Sequence, residues 1–245
     1  MRSLGLLMVV LMLGSCSREK QGTAIIGGIF TGAPGVRLVL EELVPGGIGT
    51  VDSLTTGTDG TFRFAVSPAE ATFYLLKTGD GKTAVLTAAP GDTLELACDA
   101  RAFPEEMVVK GTKDAEFLAE FFAGSYRNKA LADSLQQILA LHSGDSLFTS
   151  LTLSFDTVFQ RLLKDQRELE IRFIEAHPGS IAAILVLDYS FGARPVLSME
   201  EDPDCYRLVD SALTVNYPGN KHVQHFHRKI EEYTRKQQLD KGTVR

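Results

Sequence analysis

Three thiols, Cys16, Cys98 and Cys205, and one histidine run, His222-Val223-Gln224-His225-Phe226-His227, are the residues whose types and spacing are best suited to chemistry. Cys16 follows a lone cation at Arg2, an apolar run over 4–13 and the small residues Gly14 and Ser15. That run is too short to cross a bilayer as a helix, and a small-residue site ending at a cysteine is what a lipoprotein peptidase cleaves before an acylated thiol. The spacing predicts a signal peptide over 1–15, lipidation of Cys16 by acyl chains such as palmitate, and a polar tether over 16–22. The address expected is the cell envelope, at the outer membrane, facing either the periplasm or the exterior.

Cys98 and Cys205 are too far apart to form a Cys-x-x-Cys redox pair, in which each thiol tunes its neighbour. Cys98 continues the alternation Leu94, Leu96, while Cys205 shares a helical stripe with Leu208, Val209 and Ala212. Both read as small buried hydrophobes, with a disulfide or a reactive thiol as the alternatives. Of the histidines, His222 and His225 fall near one helix face and His227 points away. A closed zinc site needs four ligands, so these three are metal candidates only with outside help, and an exposed polar helix is the competing reading. Asp52, Asp59, Gly60, Gly91 and Asp92 resemble calcium-loop chemistry, but six or more converging oxygens would be needed and turn formation explains the residues. Neither a Gly-x-Ser-x-Gly elbow nor a phosphate loop is present: Gly27-Gly28 and Gly46-Gly47 lack the accompanying Lys and Ser or Thr. The reading is of a chain without enzymatic activity and without a cofactor.

The elements that must position these residues change style near Gly111. Over 23–111, short β-rich runs are predicted at 24–30, 36–42, 49–55, 61–66, 72–78, 83–88, 93–98 and 107–110, divided by turn formers such as Asp59-Gly60 and Pro90-Gly91-Asp92. Their spacing implies an antiparallel sandwich or partly open barrel, with Phe30, Phe62, Phe64, Phe73 and Tyr74 alternating inward as core. Exposed, the same rings would suit a small ligand or glycan. Over 112–245 the period becomes helical. Helices are expected at 114–142 with a break at Gly124-Ser125, through 155–176, at 181–189, from an Asp202 cap to 216, and at 221–238 as a polar helix. Ser143-Gly144 reads as a further break. The fold class is therefore α+β in two parts, an all-β domain followed by an α-helical domain.

Val51-Asp52-Ser53, Thr58-Asp59-Gly60-Thr61-Phe62-Arg63-Phe64, Ala89-Pro90-Gly91-Asp92-Thr93-Leu94 and Val109-Lys110-Gly111-Thr112 resemble the N-terminal β-rich domain of unknown function in TlpA-like thioredoxin-fold lipoproteins. Phe173-Ile174-Glu175-Ala176-His177-Pro178-Gly179-Ser180 and the stretch from Leu213 through Tyr217-Pro218 resemble the helical linker of that family. In that family the linker leads into a thioredoxin domain with a Cys-x-x-Cys centre, whereas this sequence ends at Arg245 about where that domain would begin, so no catalytic residue is carried over. The resemblance implies an envelope protein and, as partner, another envelope protein such as a separately encoded thioredoxin-fold protein.

Composition agrees with a folded body: 44% of the 245 residues are hydrophobic and 23% charged. A net charge of −6 leaves no basic surplus for a nucleic-acid partner. The C-terminal Lys and Arg residues interleave with Glu231, Glu232 and Asp240 as on a solvated helix face. The expected role is a membrane-anchored, non-catalytic binding or scaffolding module. The alternatives are an accessory or remnant of a thiol-disulfide oxidoreductase and a ligand-binding β domain.

Overall fold

The computed structural model describes residues 22–32, 34–191 and 194–243. Cys16, the expected signal peptide and all of the tether but Gly22 lie outside the described residues. Eight strands come first: β1 (Ala24–Thr31), β2 (Arg37–Val44), β3 (Gly47–Thr55), β4 (Thr61–Val66), β5 (Thr72–Thr78), β6 (Thr83–Ala88), β7 (Thr93–Asp99) and β8 (Val108–Lys110). They form two open four-stranded sheets, ordered β4-β1-β7-β8 and β3-β2-β5-β6, so the sandwich and not the barrel is adopted.

Strict alternation in β4 and β7 sends Phe62, Phe64, Leu94 and Leu96 inward, where they meet Leu38, Leu40, Tyr74 and Leu86 of the second sheet. The sandwich is not wholly antiparallel, because β1 lies parallel to β7, Ile26 beside Leu94 and Phe30 beside Cys98. At Gly28 this pairing is so close that a Cβ would fall 1.8 Å from the Leu96 carbonyl oxygen, which only glycine tolerates.

In the second sheet β5 and β6 are buried on both faces, whereas the edge strand β3 is exposed. In β5, Tyr74 fills the sandwich core while its neighbour Phe73, fully buried, belongs to a second apolar core made with the helices. The helices thus make a third layer: α1 (Lys113–Leu141), α2 (Phe148–Ala176), α3 (Ala183–Leu187), α4 (Pro203–Asn216) and α5 (Lys221–Thr243), with a two-stranded ribbon, β9 (Ser190–Phe191) and β10 (Arg194–Pro195), between α3 and α4. Thr112 starts α1 by accepting the Ala115 N–H on its hydroxyl at 3.3 Å, satisfying one of the orphan donors of a helix N-terminus.

Four expectations are corrected. Helix α1 does not break at Gly124-Ser125: a Cβ there would meet Leu169 Cδ2 at 3.1 Å, so the glycine serves the α1–α2 crossing. Asp202 precedes Pro203 as expected, but its carboxylate makes no cap bond and is engaged instead by the Arg167 guanidinium. The start of α5 is not an exposed polar helix; His222, Val223 and Phe226 are buried. Asp52 lies in strand β3, paired with Leu40 next to a bulge, and not in a turn.

Candidate functional site

Helices α1 and α2 are antiparallel partners buried at one end only. Ala115, Leu118, Phe121 and Ser125 are buried in α1, and Leu162, Gln166, Glu170, Phe173 and Ile174 in α2. Between them, none of the residues 126–161 is buried. The two helices therefore continue past the body as a hairpin arm, held by its root.

The arm is nonetheless apolar. Leu141 is 83% and Leu153 is 70% exposed, and Leu131, Ile138 and Leu147 are exposed as well. Leu135 and Leu139 of α1 face Phe155 and Phe159 of α2, and together with Ala132 and Phe191 they line a cleft of about 530 Å³. Phe191 closes its body end, with ring centroids 6.0 Å from Phe159 and 5.8 Å from Tyr189. An ion pair of 2.6 Å between Lys129 and Asp133 sits on its rim. The span 129–139 of α1 measures about 15 Å at 1.5 Å per residue, three helical turns. A larger hollow, about 620 Å³, lies on the outer face of the first sheet, lined by Gly27, Ile29, Arg63, Glu95 and Lys110 among others.

At the root, polar side chains stand where the helical stripe calls for apolar ones. Gln166 Nε2 donates to Ser125 Oγ at 2.9 Å and to Glu170 Oε1 at 3.2 Å, while Gln166 Oε1 accepts from Asn128 Nδ2 at 3.0 Å. Ser125, Gln166 and Glu170 are all fully buried. Glu170 Oε2 is buried with no hydrogen-bond partner among the described residues. Burial pushes the Glu170 carboxyl up to about 8, against the pull of the Gln166 hydrogen bond and Arg167. Arg167 is committed to Asp202, donating from Nη1 to Oδ2 at 2.8 Å. Tyr189, whose hydroxyl donates to the Ser125 carbonyl at 3.5 Å, links this cluster to the cleft wall; burial, and then the Glu170 charge, push it up to about 12. The pattern of α2 held the signal: Gln166 and Glu170 share the stripe of Leu162 and Phe173, not the charged face of Arg161, Lys164, Asp165 and Arg172.

The residues singled out from the sequence are dispersed. Cys98 is in the sandwich core, its Sγ donating to the Asp99 carbonyl at 3.2 Å; burial pushes its thiol up to about 11. Cys205, half-buried against the helical core, is shifted upward for the same reason. Both are free, and neither has the lowered pKa of a reactive thiolate. The three histidines of α5 point to different surroundings. His222 Nε2 lies 3.1 Å from Thr72 Oγ1 with its ring edge-on to Phe73, His227 Nδ1 lies 2.9 Å from Asp210, and His225 joins neither. Among the described residues no group of three or more His, Cys, Asp or Glu side chains is placed to hold a metal ion. Asp59 accepts both the Thr61 N–H at 3.0 Å and its hydroxyl at 2.7 Å, and Asp92 accepts the Ala89 N–H at 2.7 Å, as turn formers do. Gly60 and Gly91 adopt φ of +81° and +88° there. Phe30, Phe62, Phe64, Phe73 and Tyr74 are buried and present no aromatic platform.

No protein family, curated protein or solved structure matches the chain. Among the described residues no helix is long and apolar enough to cross a membrane.

Proposed function

We propose that this protein is a lipid-anchored component of the cell envelope, tethered through Cys16, that acts as a non-catalytic binding or scaffolding module. Its hairpin arm receives the partner. The observation that carries this reading is the arm itself: none of residues 126–161 is buried, yet they expose leucines and a phenylalanine-walled cleft. Apolar surface that does not serve the fold marks an interaction site. A cleft between two antiparallel helices, three turns long, fits one amphipathic helix of a partner, whose i, i+3 and i+4 side chains would complete a three-helix bundle. The partner we assign is another envelope protein presenting such a helix; the resemblance to TlpA-like lipoproteins makes a separately encoded thioredoxin-fold protein the first to test. The upward-shifted thiols of Cys98 and Cys205 favour binding over thiol exchange.

The test places a photo-crosslinking residue at Leu139, at Phe159 and, as a control, at Thr50 on the β3 edge, in cells producing the full chain. One envelope protein joined from both cleft positions and not from Thr50 is expected, with the purified partner then binding the full chain. Absence of crosslinks from the cleft, or equal crosslinks from Thr50, would refute the arm as the docking surface. Cys16→Ser should release the protein from the membrane fraction; retention there would refute the anchor.

A further inference from the structure

The root of the arm holds a buried acid, Glu170, with one carboxyl oxygen unpartnered. Ser125, Gln166 and Glu170 sit at the last buried turn of α1 and the first buried turns of α2, the point at which the arm leaves the body. Each donor and acceptor of Gln166 is used, so the amide fixes α1 to α2. Glu170 supplies one oxygen to that network and leaves the other buried and unpartnered. A neutral carboxyl tolerates this at the cost of one missing hydrogen bond, whereas a carboxylate would place a full negative charge where water does not reach.

Of the charged groups that act on it, Arg167 favours the carboxylate and Asp202 opposes it. On α2 itself Arg167 is bound to Asp202, and Asp202, ahead of α4, adds a second negative charge on that side. From the α3–β9 connection Tyr189 presents a hydroxyl already donated to the Ser125 carbonyl, and from α4 the Tyr206 hydroxyl donates to the Leu187 carbonyl. Helix α1 offers only the neutral Ser125 and Asn128. No free cation faces Glu170 among these groups.

We propose that the Ser125–Gln166–Glu170 cluster is a proton-controlled latch: protonated Glu170 keeps α1 and α2 closed on each other at the root, and loss of that proton loosens the root and with it the setting of the arm. The consequence for partner binding rests on the arm being the docking surface; the latch itself does not. Its sign follows from which state holds the proton more tightly. The closed root holds it up to about pH 8, an opened and hydrated root only to the ordinary 4.5, so opening becomes easier as pH rises from 4.5 and levels off above about 8. Within that window the opening equilibrium gains up to about tenfold per pH unit.

Hydrogen exchange by mass spectrometry on the full chain, corrected for the intrinsic pH dependence of amide exchange, reads this directly. Amides in the root segments 121–128 and 162–170 are expected to lose protection between pH 5.5 and 7.5, and the loss should vanish in Glu170→Gln, which keeps the shape without the charge. Flat protection in the unmodified chain would overturn the latch, as would an unchanged slope in Glu170→Gln. Should Glu170→Gln fail to fold, the side-chain carboxyl of the unmodified protein can be titrated by carbon-13 NMR: a midpoint well above 4.5 supports the latch and one at 4.5 refutes it. Missing crosslinks from the cleft with pH-dependent root exchange would reject the partner reading alone, and the converse would reject the latch alone.

Discussion

The body and the arm share two helices, α1 and α2, yet they are held by different forces. In the body, sheet lies on sheet and helices lie on the second sheet, so that β5 buries Tyr74 into one core and Phe73 into another. In the arm, α1 and α2 continue for several turns with no buried residue between 126 and 161. Burial supplies most of the stability of a domain, so the body is cooperative and the arm draws its order from helix continuity and from the polar root. The contrast teaches where function belongs: a surface free to engage a partner is taken from the part of the molecule that packing does not consume.

The severest way to break this comparison is to empty the position on which the layers converge. Phe73 is fully buried, packs edge-on to His222 with ring centroids 4.8 Å apart, and joins the sheet to the helical core. Phe73→Ala should cost about 3–5 kcal/mol by lost transfer and cavity. In urea denaturation, sheet and helix signals should shift together. Two separated transitions, or a loss below about 1 kcal/mol, would show that the layers are independent and that the body is not a single cooperative unit.

Much of this body is legible in the residues. Strands Thr61–Val66, Thr72–Thr78 and Thr83–Ala88 begin and end where Asp59-Gly60, the residues before Thr72 and Gly79-Asp80-Gly81 place them, because turn geometry is a local property. The parallel β1–β7 pair is not local: its partners, such as Ile26 and Leu94, are separated in sequence by five intervening strands, and no periodicity encodes their pairing. Helix α5 reads as polar because the reason for burying His222 and Phe226 lies far away in sequence, in Phe73 of β5. Asp202 carries the signature of a cap, but Arg167, thirty-five residues away, offers its carboxylate a charged partner and wins it. At the site, the apolar stripe of α2 was readable, whereas Gln166 and Glu170 within it make sense only against Ser125 and Asn128 of α1. The arm's exposure is equally invisible from α1 and α2, whose patterns do not announce that no third element covers them.

A gentler probe uses acid, and it sharpens the comparison because the affected group is in the body alone. Burial lowers the pKa of His222, more than the neighbouring Glu70 charge raises it, so the unfolded chain binds the proton first. Stability should fall as pH drops below the ordinary 6.5 and level off below the lowered folded-state value. His227 works in the opposite sense: its hydrogen bond with Asp210 raises its pKa, contributing stability that is complete below 6.5 and lost as pH rises through the folded-state value. His222→Gln should therefore flatten the acid side of a plot of urea midpoint against pH, with an effect smaller than that of Phe73→Ala. An acid limb unchanged by His222→Gln would show that the buried imidazole is not what couples α5 to β5.

The smallest expected effect is the most discriminating for the arm. Leu141 and Leu153, 83% and 70% exposed, make up much of the apolar surface at its far end, and side chains already in water have little transfer energy to lose. Replacing both by Gln should change folding stability by no more than about 0.5 kcal/mol, the usual range for surface positions, and leave the root's hydrogen exchange untouched. A loss above 1 kcal/mol would mean that these leucines are covered in solution by another part of the chain or by a second copy. The arm would then belong to the packed structure, and its apolar surface would be a demand of the fold instead of an offer to a partner.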